Sequence, residues 1–121
     1  MTGRTILIVD DNQAIRDLIT TLLELSELDV SVVAVSTAGA ALESWRNDRP
    51  AAIVLDRLLG ADDGLDVASR VLGEQPTLPI VLFTAFLDDS LRRQAADVGV
   101  TACITQDDLQ RLPDLLGELL A

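Results

Sequence analysis

The chain has 121 residues, of which 49% are hydrophobic, and it carries a formal net charge of −11. This length suffices for one buried core but not for two, so the sequence predicts a single domain over residues 1–121. Strong negative charge opposes attraction to phosphate backbones and anionic lipids, which argues against direct nucleic-acid binding and against membrane association.

Several residue types are missing. There is no histidine and no lysine, all nine cations are arginines, and Cys103 is the only cysteine. Zinc sites, histidine-based triads and internal disulfides are therefore excluded. No apolar run approaches the roughly 20 residues that span a bilayer, and the first residues do not resemble a signal peptide. We expect a cytoplasmic protein whose chemistry relies on carboxylates.

Short aliphatic runs alternate with longer segments of helical periodicity. The runs are nearly apolar throughout, which is typical of strands covered on both faces, and they lie at 5–9, 30–35, 52–55, 79–83 and 101–104. Each run is followed by apolar residues at three- and four-residue intervals, which predict core-facing helices. These helical patterns cover 15–23, 38–45, 65–72, 91–98 and 109–119.

The last helix is interrupted by Pro113. Proline is tolerated in the first turn of a helix, where its missing N–H has no partner to lose. We therefore expect Pro113 in that turn, with Asp107 or Asp108 as the N-cap. In the second helix, we interpret Trp45 as a core residue.

Strict alternation of strands and helices predicts an α/β fold with a parallel five-stranded sheet and helices on both faces. A common order, 2-1-3-4-5, reverses direction between strands 1 and 3, and ligands bind beyond the carboxyl ends of strands at such a point. Strand 1 ends just before Asp10 and Asp11, and strand 3 ends just before Asp56. Three carboxylates are thus predicted to meet in one crevice.

Three neighbouring carboxylates repel one another, so in the empty protein at least one pKa should be raised unless a cation holds all three ionised. Oxygen-only ligation with room for water suits Mg²⁺. A carboxylate beside such an ion can act as a nucleophile toward a phosphoryl group. The alternative is that Asp10 and Asp11 only cap a helix beginning near Gln13; Asp56 at the matching end of strand 3 favours the metal site.

Three segments resemble the receiver domains of two-component response regulators, which have a flavodoxin-like fold. "ILIVDDN" resembles the acidic motif after the first strand, and "IVLDRLLGADDG" is similar to the segment with the phosphorylated aspartate and a glycine eight positions later, here Gly64. "VLFTAF" resembles the fourth strand, which ends in a hydroxyl residue. The resemblance covers essentially the whole chain.

The resemblance implies a role for each matching residue. Asp10, Asp11 and Asp56, with the backbone carbonyl of Leu58, would hold Mg²⁺. Asp56 would accept the phosphoryl group, and Thr84 would hydrogen-bond one of its oxygens. A sensor histidine kinase or a histidine phosphotransfer protein would be the donor. The implied protein is a signalling switch that catalyses at most its own phosphorylation and dephosphorylation, and is not otherwise an enzyme.

Three departures from the family pattern affect these expectations. Gln106 stands where the family has a lysine, and Cys103 where it has an aromatic residue. A neutral hydrogen bond in place of a charged one weakens phosphorylation by about 1–2 kcal/mol, or about tenfold. Gly60 and Ala61 replace an expected Pro-Gly pair, so the shape of that loop is not predicted.

Two residues near these motifs receive structural interpretations. Strand alternation points Arg57 away from its neighbour Asp56, so we expect it to face solvent rather than replace the missing lysine. Cys103 is interpreted as a small apolar filler, too small to switch by filling space. Any switch is then expected to use backbone shifts in the loop from Ala85 to Leu91, or another surface.

Three functions are weighed. The favoured one is a phosphorylation-dependent receiver, whose kinase partner docks beside the exposed side of helix 1 (Gln13, Asp17 and Thr20). The alternative is a phosphorylation-independent interaction module, which the missing lysine and aromatic residue support. An aspartate-based phosphohydrolase is the weakest, because the Asp-x-Asp pair and the lysine are absent. The sequence is also compatible with a homodimer.

Overall fold

The computed structural model describes residues 3–121. Five parallel strands form one sheet in the order β2-β1-β3-β4-β5, which confirms the predicted α/β class and strand order. The strands are β1 (Arg4–Val9), β2 (Val30–Val35), β3 (Ala52–Asp56), β4 (Ile80–Thr84) and β5 (Ala102–Thr105).

Helices cover both faces of the sheet. They are α1 (Gln13–Glu24), α2 (Ala38–Asp48), α3 (Gly64–Glu74), α4 (Asp89–Val98) and α5 (Leu112–Leu120). Because side chains alternate along a strand, Ile6 and Ile8 of β1 join the core beneath α1 and α5, whereas Leu7 and Val9 join the core beneath α2 and α3. No helix within residues 3–121 is long and apolar enough to cross a membrane.

Trp45 and Cys103 occupy the structural positions expected from the sequence. Trp45 lies on α2 and is buried in the hydrophobic core, and its indole N–H donates to Oε1 of Gln75 at 3.0 Å. Cys103 packs against the cluster formed by β4, α3 and α4, and burial raises the pKa of its thiol. Cys103 therefore serves as a partly buried apolar filler.

The start of the last helix differs from the prediction. Residues Gln106–Arg111 form a 3₁₀ helix that is kinked at Asp108, and α5 begins only at Leu112, with Pro113 in its first turn as expected. Asp107 and Asp108 lie within the 3₁₀ helix, and Arg111 precedes α5 without a side-chain cap, so the N-cap prediction was wrong. The proline fixes the start of α5, because farther into a helix its ring would clash with the preceding turn.

The segment between Asp56 and α3 forms a small hairpin that the sequence pattern did not predict. Leu58–Leu59 pairs antiparallel with Asp62–Asp63. Gly60 lies in the turn with a φ of +65°, a conformation that glycine adopts without steric cost. This hairpin replaces the loop for which the resembled family uses Pro-Gly.

Gly64 begins α3 in direct contact with the backbone of β3. A Cβ atom at this position would lie 2.0 Å from the carbonyl oxygen of Asp56 and 3.2 Å from Cα of Arg57. These contacts are with backbone atoms, which cannot rotate away. Glycine is thus required here because α3 starts against the strand that carries Asp56.

Substituting Gly64→Ala should destabilise the fold by about 2 kcal/mol or more, since the added methyl group forces backbone shifts. Gly73→Ala is the matched control: Gly73 lies in the same helix, and a Cβ atom added there would meet no atom within 4 Å. That control should be neutral or stabilising by up to about 1 kcal/mol. Urea denaturation measures both, and equal stabilities for the two variants would contradict the proposed contact.

Candidate metal and phosphoryl site

Three carboxylates lie together at the carboxyl edge of the sheet. Asp10 and Asp11 directly follow β1, and Asp56 ends β3, which pairs with β1 in register up to Val9 and Leu55. Each of the three residues offers a carboxylate oxygen within 4.8 Å of the other two. The structure thus brings together the residues that the sequence analysis singled out.

The three carboxylates differ in their environment. Asp10 is buried, Asp56 is partly buried, and Asp11 is exposed. Oδ1 of Asp10 accepts from the backbone N–H of Asn12 at 2.8 Å, whereas its Oδ2 is buried without a hydrogen-bond partner. A buried, unpartnered carboxylate oxygen is costly. A hard cation between these side chains would satisfy it, so the donor set fits a divalent metal ion.

Burial and mutual repulsion alter the acidity of this cluster. Desolvation, followed by repulsion from Asp10, raises the pKa of Asp56 from 3.8 to about 6. The pKa of Asp10 is also raised, chiefly by burial, although the hydrogen bond from Asn12 acts in the opposite direction. The cluster therefore has an electrostatic cost that a bound cation would offset.

Helix capping does not account for the two N-terminal aspartates. α1 begins at Gln13 as predicted, but its N-cap is Asn12, whose side-chain oxygen accepts from the N–H of Ile15 at 3.2 Å. Arg16, which the sequence analysis did not single out, donates to the backbone carbonyl of Asp10 at 2.8 Å. Neither of these two contacts involves a carboxylate group, and the carboxylates of Asp10 and Asp11 face a cleft.

This cleft has a volume of about 520 Å³ and contains all the predicted site residues. Its lining includes the following residues: Asp10, Asp11, Asp56, Leu58, Thr84 and Gln106. Thr84 is buried at the end of β4. Gln106 is exposed at the start of the 3₁₀ helix, directly after β5. The cleft also includes Arg57, Ile15 and the loop residues Ala85 and Phe86.

The hydroxyl of Thr84 is engaged within its own loop. It donates to the carbonyl oxygen of Phe86 at 3.0 Å and lies 3.3 Å from the N–H of the same residue, which donates to it. A hydroxyl group has a single proton to donate. Donation to any ligand in the cleft would therefore release the Phe86 carbonyl.

Arg57 does not simply face solvent, which corrects the prediction. Its Nε donates to Oδ1 of Asp63 at 2.9 Å, and 30% of its side chain is exposed. The guanidinium is thus paired with Asp63 and is not a replacement for the missing lysine beside Asp56. Alternation along an ideal strand did not reveal this pair, because the hairpin brings Asp63 back alongside Arg57.

Exposed apolar side chains at the rim of the cleft also escaped the sequence analysis. Phe86 is 74% exposed and Leu58 is 64% exposed. Both lie next to predicted site residues within "VLFTAF" and "IVLDRLLGADDG". The sequence signal for their exposure was that Leu58 and Phe86 each follow the end of a strand, where the chain leaves the sheet.

Comparisons with known proteins identify relatives of this chain. Residues 6–116 match the response regulator receiver domain. The chain is 35% identical over 116 residues to the response regulator MprA of Mycobacterium tuberculosis, an alignment that covers 96% of this chain but only 47% of MprA. The chain thus spans about half the length of this curated relative.

Solved structures show the same fold. A putative response regulator from Chloroflexus aurantiacus superposes with a TM-score of 0.87 at 26% identity, covering 98% of both chains. The phosphorylated cyanobacterial phytochrome response regulator RcpA superposes with a TM-score of 0.80 at 24% identity, covering 97% of this chain and 91% of that one.

The raised pKa of Asp56 predicts a stability difference that depends on pH. The folded protein holds this proton more tightly than the unfolded chain, so the cost of ionising Asp56 is absent below about pH 4 and complete above about pH 6. Without metal, Asp56→Asn should therefore be more stable than the wild type at pH 7.5, by about 1–2 kcal/mol or roughly 4–8 °C in Tm.

Thermal unfolding in EDTA from pH 4 to 8 measures this difference. The advantage of Asp56→Asn should shrink as pH falls from 6 to 4. Asp66→Asn is the control, because Asp66 is an exposed carboxylate in the first turn of α3. A pH-independent difference between Asp56→Asn and the wild type would contradict the raised pKa.

Proposed function

The chain belongs to the response regulator receiver domain family of two-component signalling, and on this basis we propose that it accepts a phosphoryl group on Asp56 in a Mg²⁺-dependent reaction. The observation that carries the proposal is the convergence of Asp10, Asp11 and Asp56 around the unpartnered Oδ2 of Asp10. The protein then acts as a switch and not as an enzyme that turns over a separate substrate.

In this proposal the cation is held by Asp10, Asp11, Asp56 and the backbone carbonyl of Leu58. All of these ligands are oxygens, which Mg²⁺ prefers. When bound, Mg²⁺ supplies positive charge that offsets the repulsion among the carboxylates and between Asp56 and an incoming phosphoryl group. The raised pKa of Asp56 makes cation binding compete with protons near pH 6.

Asp56 is better placed than the buried Asp10 to act as the nucleophile. Asp10 is buried, whereas Asp56 is partly exposed at the end of β3 and is held by the N–H of Leu58, which donates to its Oδ1 at 3.2 Å. Asp56 is also mostly ionised at neutral pH.

Thr84 couples phosphorylation to the loop that follows β4. When its hydroxyl donates to a phosphoryl oxygen, it must give up its donation to the carbonyl of Phe86. The freed loop then moves the exposed ring of Phe86. This gives the chain a route to signal output that does not require an aromatic residue at Cys103.

The apolar rim gives a phosphodonor protein a surface to bind. Phe86 and Leu58 border the acidic cleft, and Leu18 of α1 is 46% exposed on the adjoining helix. On the same helix, Gln13 and Asp17 are exposed and Thr20 is partly exposed. We assign this surface to a sensor histidine kinase or a histidine phosphotransfer protein.

A phosphorylation-independent interaction module is the second candidate. The observation that favours it is the neutral Gln106 at the edge of the cleft, where the family has a lysine. In this alternative the same apolar rim binds a partner whether or not Asp56 is modified.

Intact mass spectrometry distinguishes the two candidates. The protein is incubated with acetyl phosphate, with Mg²⁺ or with EDTA, and compared with Asp56→Asn. We expect one phosphoryl adduct on the wild type only with Mg²⁺, and none on Asp56→Asn. If a purified histidine phosphotransfer donor and acetyl phosphate both fail on folded protein, phosphorylation is refuted and the interaction module is favoured.

Introducing the family's lysine at position 106 should increase phosphorylation. Gln106→Lys is expected to raise the extent or rate of labelling by about tenfold, because a charged hydrogen bond replaces a neutral one. Gln110→Lys adds the same charge in the same 3₁₀ segment, beyond the kink at Asp108 and outside the residues lining the cleft. Equal effects of the two substitutions would indicate a general charge effect and contradict the role of position 106.

A further inference from the structure

Arg57 lies between two positions that the proposed function uses as ligands. Asp56 precedes it and supplies a carboxylate, and Leu58 follows it and supplies a backbone carbonyl. The chain leaves the sheet in this segment. The N–H of Arg57 still donates to the carbonyl of Phe83 on β4, whereas Leu58 already belongs to the hairpin. The direction of the Leu58 carbonyl therefore depends on how the hairpin is held.

Arg57 is attached to the far end of the hairpin by two contacts. Its backbone carbonyl accepts from the N–H of Gly64 at 2.7 Å, and its guanidinium donates to Asp63 at 2.9 Å. The same Oδ1 of Asp63 accepts from the N–H of Leu65 at 2.9 Å and caps α3. Asp63 thus links Arg57 to the start of a helix that is packed in the core.

The hairpin has few other constraints. Its two strands contain only two residues each, and Gly60 in its turn has no atom near its Cβ direction. Leu59 is buried, but the side chain of Leu58 is 64% exposed. The pair between Arg57 and Asp63 is the only salt bridge among residues 3–121.

We propose that Arg57, acting through its ion pair with Asp63, is a positioning residue that orients the Leu58 carbonyl for divalent cation binding. The inference rests on the proposed function, since it assumes that the carboxylate cluster binds Mg²⁺. It assigns to an arginine and an aspartate the task of fixing this loop, which in the resembled family contains Pro-Gly.

The sign of the effect separates positioning from simple electrostatics. Arg57 carries a positive charge beside a cation site, so by Coulomb's law its removal should tighten Mg²⁺ binding. If Arg57 instead holds a ligand in place, its removal should weaken binding despite that electrostatic gain. The two explanations thus predict opposite changes in Kd.

Isothermal titration of Mg²⁺ into the metal-free protein at pH 7.5 measures this change. Arg57→Gln should raise the Kd by about tenfold, at the lower end of the effects seen for residues that orient metal ligands. Arg57→Lys keeps the charge but has no planar guanidinium, so its Kd should fall between those of the wild type and Arg57→Gln. Arg70→Gln removes an exposed arginine from α3 and should leave the Kd unchanged.

A double-mutant cycle tests whether Arg57 acts through Asp63. Asp63→Asn keeps a side-chain oxygen that can cap α3 while removing the ion pair. If Arg57 acts through this pair, Arg57→Gln should have little further effect on the Kd in the Asp63→Asn background. Additive effects would overturn the proposed route through Asp63.

The outcomes distinguish the inference from the function on which it rests. A wild type that does not bind Mg²⁺ would refute the metal site itself. A wild type that binds, with equal or tighter binding by Arg57→Gln, would overturn only the positioning role. Amide hydrogen exchange at Gly64 gives a second readout, because its protection should fall in Arg57→Gln without any metal present.

Discussion

The desolvation of carboxylates at the end of the sheet, together with their mutual repulsion, is the constraint on which the rest of the site depends. Asp10 is buried with one oxygen unpartnered, and its charge helps to raise the pKa of Asp56 to about 6. A fold that keeps such a cluster loses stability unless a proton or a cation compensates for it. Under the proposed function, this compensation links metal binding, protonation and phosphorylation at one position.

The sheet makes this arrangement rigid. The parallel pairing of β1 and β3 fixes the height of Asp10 relative to Asp56, and Gly64 permits α3 to begin directly against the backbone of β3. Two segments border this edge: the hairpin after Arg57 and the loop after Thr84. We assign ligand orientation to the hairpin, which the Arg57–Asp63 pair holds, and signal output to the loop, which Thr84 engages.

Much of this could be predicted from the sequence, because the decisive signals are local. Aliphatic runs fix the strands, and acidic residues directly after the first and third runs meet once the strand order is known. The same reasoning was wrong where the backbone departs from regular strand and helix geometry. Arg57 pairs with Asp63 through an unpredicted hairpin, and α5 starts at Leu112 because residues 106–111 tighten into a 3₁₀ helix ahead of Pro113. The engagement of Thr84 by the Phe86 carbonyl also has no signature in composition or periodicity.

The central claim is that the three carboxylates jointly bind one divalent cation. The most direct measurement is a crystal structure grown with Mn²⁺, whose anomalous scattering locates the ion in place of Mg²⁺. We expect a single peak about 2.1–2.3 Å from oxygens of the Asp10–Asp11–Asp56 cluster and within ligand distance of the Leu58 carbonyl. A saturated crystal without a peak in this cleft, or with the ion bound elsewhere on the acidic surface, would contradict the account.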